Sequence, residues 1–207
     1  MQGTCVRNTA WIEHKSYHLK AKKIVITGGP CVGKTSLIEA LKAKGYACFP
    51  EVIREFTMEE TEGQDREQLQ SNPIVFAKDS LGFNQRLIDG RSQQYHEAEK
   101  LDVPFVFFDR GLPDVLAYMD YFNQPYGEDF TSVCEELSYD KVFILPPWKE
   151  IFALNEIRFE SYEELESLHE YLNERYAAFG KTPVEVPKLP VDLRIEFILQ
   201  QLEAAFE

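Results

Sequence analysis

Residues 24–41, "IVITGGPCVGKTSLIEAL", decide the fold. Ile24, Val25 and Ile26 are β-branched and consecutive, which suits a buried strand from Lys23 to Thr27. The six residues after Thr27 carry three glycines and a proline and break that strand. Leu37, Ile38 and Leu41 then fall on one face of a helix from Gly33 to Lys44, and Gly45 stands where a helix ends. Lys34, Thr35 and Ser36 therefore sit at a helix N-terminus, behind a glycine-rich turn. Glycine opens backbone angles closed to other residues and lets a ligand approach the main chain. Amides gathered at such a helix start form a nest for an anion.

Gly28-x4-Gly33-Lys34-Thr35 is a full Walker A motif, and it has the strand-before, helix-after setting that the motif needs. Gly28, Gly29, Pro30, Cys31, Val32, Gly33, Lys34, Thr35 and Ser36 are thus expected to cradle a nucleotide's phosphates. Lys34 can reach the β and γ phosphates, the Thr35 hydroxyl can ligate Mg2+, and Ser36 can meet the α phosphate. Pro30 lacks an amide hydrogen and donates nothing. Cys31 reads as a small loop-filling residue. ATP is the expected nucleotide, and the motif accepts GTP equally.

The chain has 207 residues and a net charge of −13. That length suits one domain, here 23–207, preceded by residues 1–22 as a flexible N-terminal extension. Such acidity argues against nucleic acid and against anionic membranes, both of which call for a basic surface. It also makes each local cation near a phosphate important. No apolar run approaches the roughly 18 residues of a membrane span. The four cysteines, Cys5, Cys31, Cys48 and Cys134, form no C-x-x-C pair and match no zinc spacing, which points to a reducing cytoplasm. His14 and His18 are one helical turn apart but lack a third ligand nearby.

Further strands are expected at Tyr46–Phe49, Pro104–Asp109, Lys141–Leu145 and Val184–Val186. The unbroken run Phe105–Phe108 suggests burial on both faces, as at the centre of a parallel sheet. Asn72-Pro73 looks like the start of a helix reaching about Lys100, with Gly82 and Gly90 as interruptions. Pro113 opens another helix to about Phe122. Ser161 caps a helix to Phe179, with Glu164 completing a capping box and Gly180 ending it. The last helix runs from Val191 to Phe206. Residues 57–72 read as a polar loop. Strand and helix alternate throughout, the pattern of an open parallel α/β sheet with right-handed crossovers.

A phosphate cradle serves hydrolases, switches and kinases alike, so other residues must discriminate. A GTPase signature is absent, since Leu112 stands where Asp109-x-x-Gly would need glycine and no Asn-Lys-x-Asp occurs. Asp109 is followed by Arg110, not by the water-activating Glu of a ring-forming ATPase. No LSGGQ is present. What remains is "FPEVIREF" after the second strand and "FFDRGLPD" after the third. Glu51, Arg54, Asp109 and Arg110 could converge on the γ phosphate. There Asp109 would serve Mg2+, Glu51 would act as general base to an acceptor hydroxyl, and Arg110 would meet transition-state charge.

The run from "ITGGPCVGKTSLIEALKAKGY" through "FPEVIREF" and "FFDRGLPDVLAYMDYF" to "YDKVFILPPWKEIF" resembles small bacterial P-loop proteins catalogued as AAA-type ATPase or kinase-like domains. These are similar to nicotinamide riboside kinase and, more distantly, to deoxynucleoside and thymidylate kinases. The resemblance implies a three-layer P-loop sandwich, a five-stranded parallel sheet in the order 2-3-1-4-5, and a helical lid at residues 149–160 with Arg158 reaching the phosphates. It matches Glu51 to the base of deoxynucleoside kinases and Asp109-Arg110 to their acid–arginine pair, with Asp for Glu, and Gly111 where they have Ser. The expected activity is Mg-ATP-dependent transfer to a small hydroxyl acceptor, a nucleoside or ribosyl compound, with the loop 187–191 near the adenine. The alternatives are a regulatory ATPase or GTPase switch that acts through a protein partner, and a catalytically silent nucleotide sensor.

Overall fold

A computed structural model describes residues 20–52, 79–153 and 161–206. Its strands are β1 (Lys22–Gly28), β2 (Ala47–Phe49), β3 (Phe105–Asp109), β4 (Lys141–Leu145) and β5 (Val184–Glu185). All pairings are parallel, in the order β2-β3-β1-β4-β5. That is the order the resemblance implied. Among the described residues the helices are α1 (Lys34–Ala43), α2 (Ser80–Ala98), α3 (Leu112–Tyr121), α4 (Glu128–Glu136), α5 (Lys149–Ala153), α6 (Tyr162–Ala178) and α7 (Val191–Phe206).

The side-chain period of two distributes the central strands over two cores. Val25, Val106, Phe108, Val142 and Ile144 point to one face, where they meet Leu87 and Ile88 of α2, Val115 and Leu116 of α3, Phe130 of α4, and Leu168 and Leu172 of α6. Ile24, Ile26, Phe107, Phe143 and Leu145 point to the other, against Leu37 and Leu41 of α1 and Ile195, Ile198 and Leu202 of α7. The result is three layers, helix on sheet on helix. Each such side chain taken fully out of water contributes about 1.5–3 kcal/mol. Burial on both faces therefore holds the central strands firmly, and with them the loops at their C-terminal ends.

Those ends carry the site. Asp109 pairs in register with Ile26, two residues before the phosphate loop opens at Gly28. Phe49 pairs with Phe108, which brings Glu51 to the same edge. At the N-terminus of α6, Ser161 Oγ accepts from the Glu164 amide at 3.1 Å and the Glu164 carboxylate accepts from the Ser161 amide at 2.6 Å, the expected capping box. Gly45 and Gly180 follow α1 and α6 with φ of +91° and +72°.

Two expectations change. The described part of the second long helix begins at Ser80, behind Asp79, whose φ of −121° and ψ of 84° are not helical. The Asp79 carboxylate accepts from the Gly82 amide at 2.9 Å, so Gly82 lies in a capped first turn and does not interrupt a continuous helix. The supposed start at Asn72-Pro73 and the loop 57–72 lie outside the described residues, as do residues 1–19 of the expected extension 1–22, whose last residue, Lys22, already belongs to β1. Helix α4 is an addition: Phe130 and Cys134 are its buried face.

Candidate active site

The loop between β1 and α1 has the shape its residues require. Gly28, Cys31 and Gly33 take φ of +138°, +58° and +92°. Left-handed residues set among right-handed ones curl a chain into a concave nest of amides. Helix α1 starts at this nest with no side-chain cap on Gly33 and no acidic residue in its first turn. Its partial positive charge is left for a ligand. The Lys34 side chain is buried and folds back across the loop, donating to the Gly29 carbonyl at 2.6 Å. Burial first, then the nearby Arg110 charge, pulls its amine down to about 8, against the opposing pull of Asp109, Glu51 and Asp114. The lysine of the loop, the acid after β2 and the acid–arginine pair after β3 thus lie close enough for their charges to act on one another.

Within the cluster Glu51 is held by cations. Its Oε1 lies 2.5 Å from Arg110 Nε and 3.8 Å from Arg91 Nη2. Burial would raise its pKa, but Arg110, Lys34 and Arg91 together outweigh burial and hold it below the ordinary carboxylate value. Glu51 is therefore ionised at neutral pH, as a group that is to take a proton from a hydroxyl must be. Arg110 has φ of +74°, a left-handed backbone that costs of order 1–3 kcal/mol in a residue with a side chain. Its guanidinium also donates to the Gly28 carbonyl at 3.1 Å and to Asp114 at 3.2 Å, and it lies over the Tyr118 ring at 5.2 Å. Most of its donors thus organise the protein, and its first partner is Glu51.

Asp114 is the hub beneath. This fully buried carboxylate accepts from Thr27 Oγ1 at 2.5 Å, from Tyr176 Oη at 2.5 Å and from the Gly111 amide at 2.9 Å, besides Arg110. Burial alone would raise its pKa, yet Arg110, Arg91 and these hydroxyl donors bring it down. Through the Gly111 bond Asp114 complements the start of α3, and that is only part of its work. Arg91, which the sequence reading passed over, is buried on α2 and donates to the Gly111 carbonyl at 2.8 Å. Its signal was present: it continues the apolar stripe Leu87, Ile88, Tyr95, where a buried arginine must have a partner.

A magnesium ion fits the donor set. Among the described residues no cluster of three or more His, Cys, Asp or Glu could hold a metal by itself. One hydroxyl at Thr35 and one carboxylate at Asp109, with substrate phosphates, is the sparse ligation that Mg2+ adopts. Between the end of β2 and α2 opens a groove of about 490 Å³, lined by Phe49, Pro50, Val52, Arg86, Asp89 and Gln94, with Glu51 next to two of these in sequence but not itself in the lining. Its rim is fixed where Gln94 donates to the Pro50 carbonyl at 2.9 Å. Arg54 and Arg158 lie outside the described residues. Of the segment 149–160, expected to be a lid, only α5 is described, and its Phe152 meets the Tyr162 ring edge-on at 5.5 Å. Cys31, Cys48 and Cys134 are free thiols. Among the described residues no helix is long and apolar enough to cross a membrane.

Sheet order, phosphate loop and flanking acids define an α/β protein with the fold of P-loop kinases. The family described as AAA domain matches residues 23–194, and the chain belongs to that family. Among solved structures, deoxyadenosine kinase from M. mycoides, with products dCMP and a flexible dCDP bound, superposes with a TM-score of 0.60 at 23% identity, over 88% of this chain and 99% of that one. The NadR protein in complex with NR gives 0.60 at 20% identity over 90% of this chain, which spans about half of NadR, 51%. Thymidylate kinase from Candida albicans gives 0.56 at 14% identity, over 89% and 92% of the two chains. At these identities the likeness is one of fold. No curated protein matches the chain.

Proposed function

We propose that this protein is a Mg-ATP-dependent phosphotransferase that acts on a small hydroxyl acceptor, a nucleoside or ribosyl compound, in the cytoplasm. The observation that carries the proposal is the ionised Glu51 held by Arg110 and Arg91 in the same electrostatic cluster as Lys34. The nest at residues 28–36 and Lys34 would hold the triphosphate. Thr35 and Asp109 would hold magnesium, which when bound supplies a Lewis acid to the β and γ phosphates. The acceptor's hydroxyl would meet Glu51, which orients it and takes its proton as the oxygen bonds to the γ phosphorus and the bond from that phosphorus to ADP breaks. The groove between β2 and α2, which is lined by Glu51's neighbours Pro50 and Val52, is the candidate for the rest of the acceptor. Arg110 keeps that carboxylate aimed, and its charge stands beside the transferring group. Arg158 is the candidate to close over the phosphates from residues 154–160 and to exclude water.

The grip of two arginines on Glu51 also favours a second reading. A carboxylate so stabilised is a weak base, as suits a regulatory ATPase or GTPase that hydrolyses slowly and signals to a protein partner. Glu51→Gln separates the two. For a kinase it keeps nucleotide affinity and lowers transfer about 10²–10⁴-fold. Unchanged turnover in that variant would favour the switch.

A further inference from the structure

Arg194, the fourth residue of α7, is a buried cation that the phosphate-loop motif does not call for. It is 4% exposed. Its Nη1 donates to the Val32 carbonyl at the long distance of 3.4 Å, and its Nε has no hydrogen-bond acceptor. Burial alone moves its pKa, and the direction is downward, as for a cation with no carboxylate beside it. A guanidinium so poorly met is costly to bury. The fold would be better served by leucine here, because Ile195, Ile198 and Leu202 already form an apolar stripe on α7.

What the guanidinium faces is the phosphate loop. A Cβ on Gly33 would stand 3.0 Å from Nη1 and 3.4 Å from Nη2, so the guanidinium packs closely on the Gly33 turn, whose φ of +92° itself favours glycine. On its other side Arg194 lies 5.7 Å from the Trp148 ring centroid. Trp148 immediately precedes α5, and its carbonyl accepts from the Phe152 amide at 2.8 Å. One side chain therefore touches both the loop and the root of the segment after β4. It also adds positive charge beside the loop in a chain of net charge −13.

We infer that Arg194 is a positioning residue of the phosphate loop: it braces the Val32–Gly33 turn and, through Trp148, couples occupancy of the loop by a nucleoside triphosphate to the start of α5. The inference rests on reading the loop as a nucleotide site. Trp11 and Trp148 are the chain's two tryptophans, so Trp11→Phe leaves Trp148 as the sole indole reporter.

The test is a titration of the full chain carrying Trp11→Phe with a non-hydrolysable Mg-ATP analogue, followed by calorimetry and by tryptophan emission, with and without Arg194→Met. Binding should shift Trp148 emission in the parent. Arg194→Met should weaken binding by about tenfold or more and abolish the shift, with a melting transition no lower than the parent's. Arg194→Lys, which keeps the charge but loses the planar fork, should weaken binding less and still lose the shift, and it decides the matter if the Met variant does not fold. A parent that binds by calorimetry with no change in emission, or variants that bind and respond like the parent, would overturn the inference alone. No heat of binding in the parent would overturn the nucleotide reading and the inference with it.

Discussion

Lys34 is the residue at which burial and ligand binding oppose each other most directly. Its amine is at about 8 in the folded protein against 10.5 unperturbed. The folded chain thus binds fewer protons than the unfolded chain between those values, and this group's contribution to stability rises with pH across that window. At pH 7 the buried ammonium is a cost. Lys34→Met is therefore expected to unfold at higher denaturant than wild type at pH 7, with the advantage shrinking towards pH 10.5. Phosphates would recruit the charged form. Affinity of wild type for an ATP analogue should fall by up to about tenfold per unit above pH 8, while Lys34→Met binds weakly and without that slope. Calorimetric titrations from pH 7 to 10 check both. Parallel slopes in the two proteins would mean that Lys34 does not carry the phosphates.

Among the elements, α3 and α6 are joined to the strand ends by Asp114, which receives Thr27 from β1 and Tyr176 from α6. A hydrogen bond to an ionised buried carboxylate is worth more than a neutral one, so Tyr176→Phe should cost about 1.5–3 kcal/mol. The measurement is the denaturation midpoint at constant slope, and a loss under 0.5 kcal/mol would place the weight of the hub on its other donors. Because Asp114 has a depressed pKa, the hub's stabilisation is present above the ordinary carboxylate range and is lost as pH falls through the folded value.

This hub also marks how far the sequence could be read. Apolar strands, glycine stops and the Ser161 box were legible because local sequence specifies them. Asp114 was legible only as a helix-start acid, since its bonds to Thr27 and Tyr176 span 87 and 62 residues. Arg91 and Arg194 each lie on an apolar helical stripe, and the partner that justifies each comes from another element. Helix α4 was missed although Phe130, Val133, Cys134 and Leu137 have helical spacing, because its acidic exposed face hides a short stripe. The cap at Asp79 was missed for a different reason: Asn72-Pro73 offers an equally good local signal seven residues earlier.

At the scale of the whole molecule, a strongly acidic chain gathers four of the five Lys and Arg side chains buried among its described residues at one edge of a parallel sheet. Lys34, Arg91, Arg110 and Arg194 are all buried there, around the loop and the two acids beside it. The central claim is that this edge passes a phosphoryl group to a hydroxyl and does not merely hold or hydrolyse a nucleotide. The most direct measurement incubates the protein with Mg-ATP labelled at the γ position, alone and with a pooled panel of nucleosides and ribosyl metabolites, and separates labelled acceptor from free phosphate. A labelled acceptor that disappears in Glu51→Gln and Asp109→Asn is the expected result. Slow release of free phosphate, unchanged by the panel and by Glu51→Gln, would contradict it.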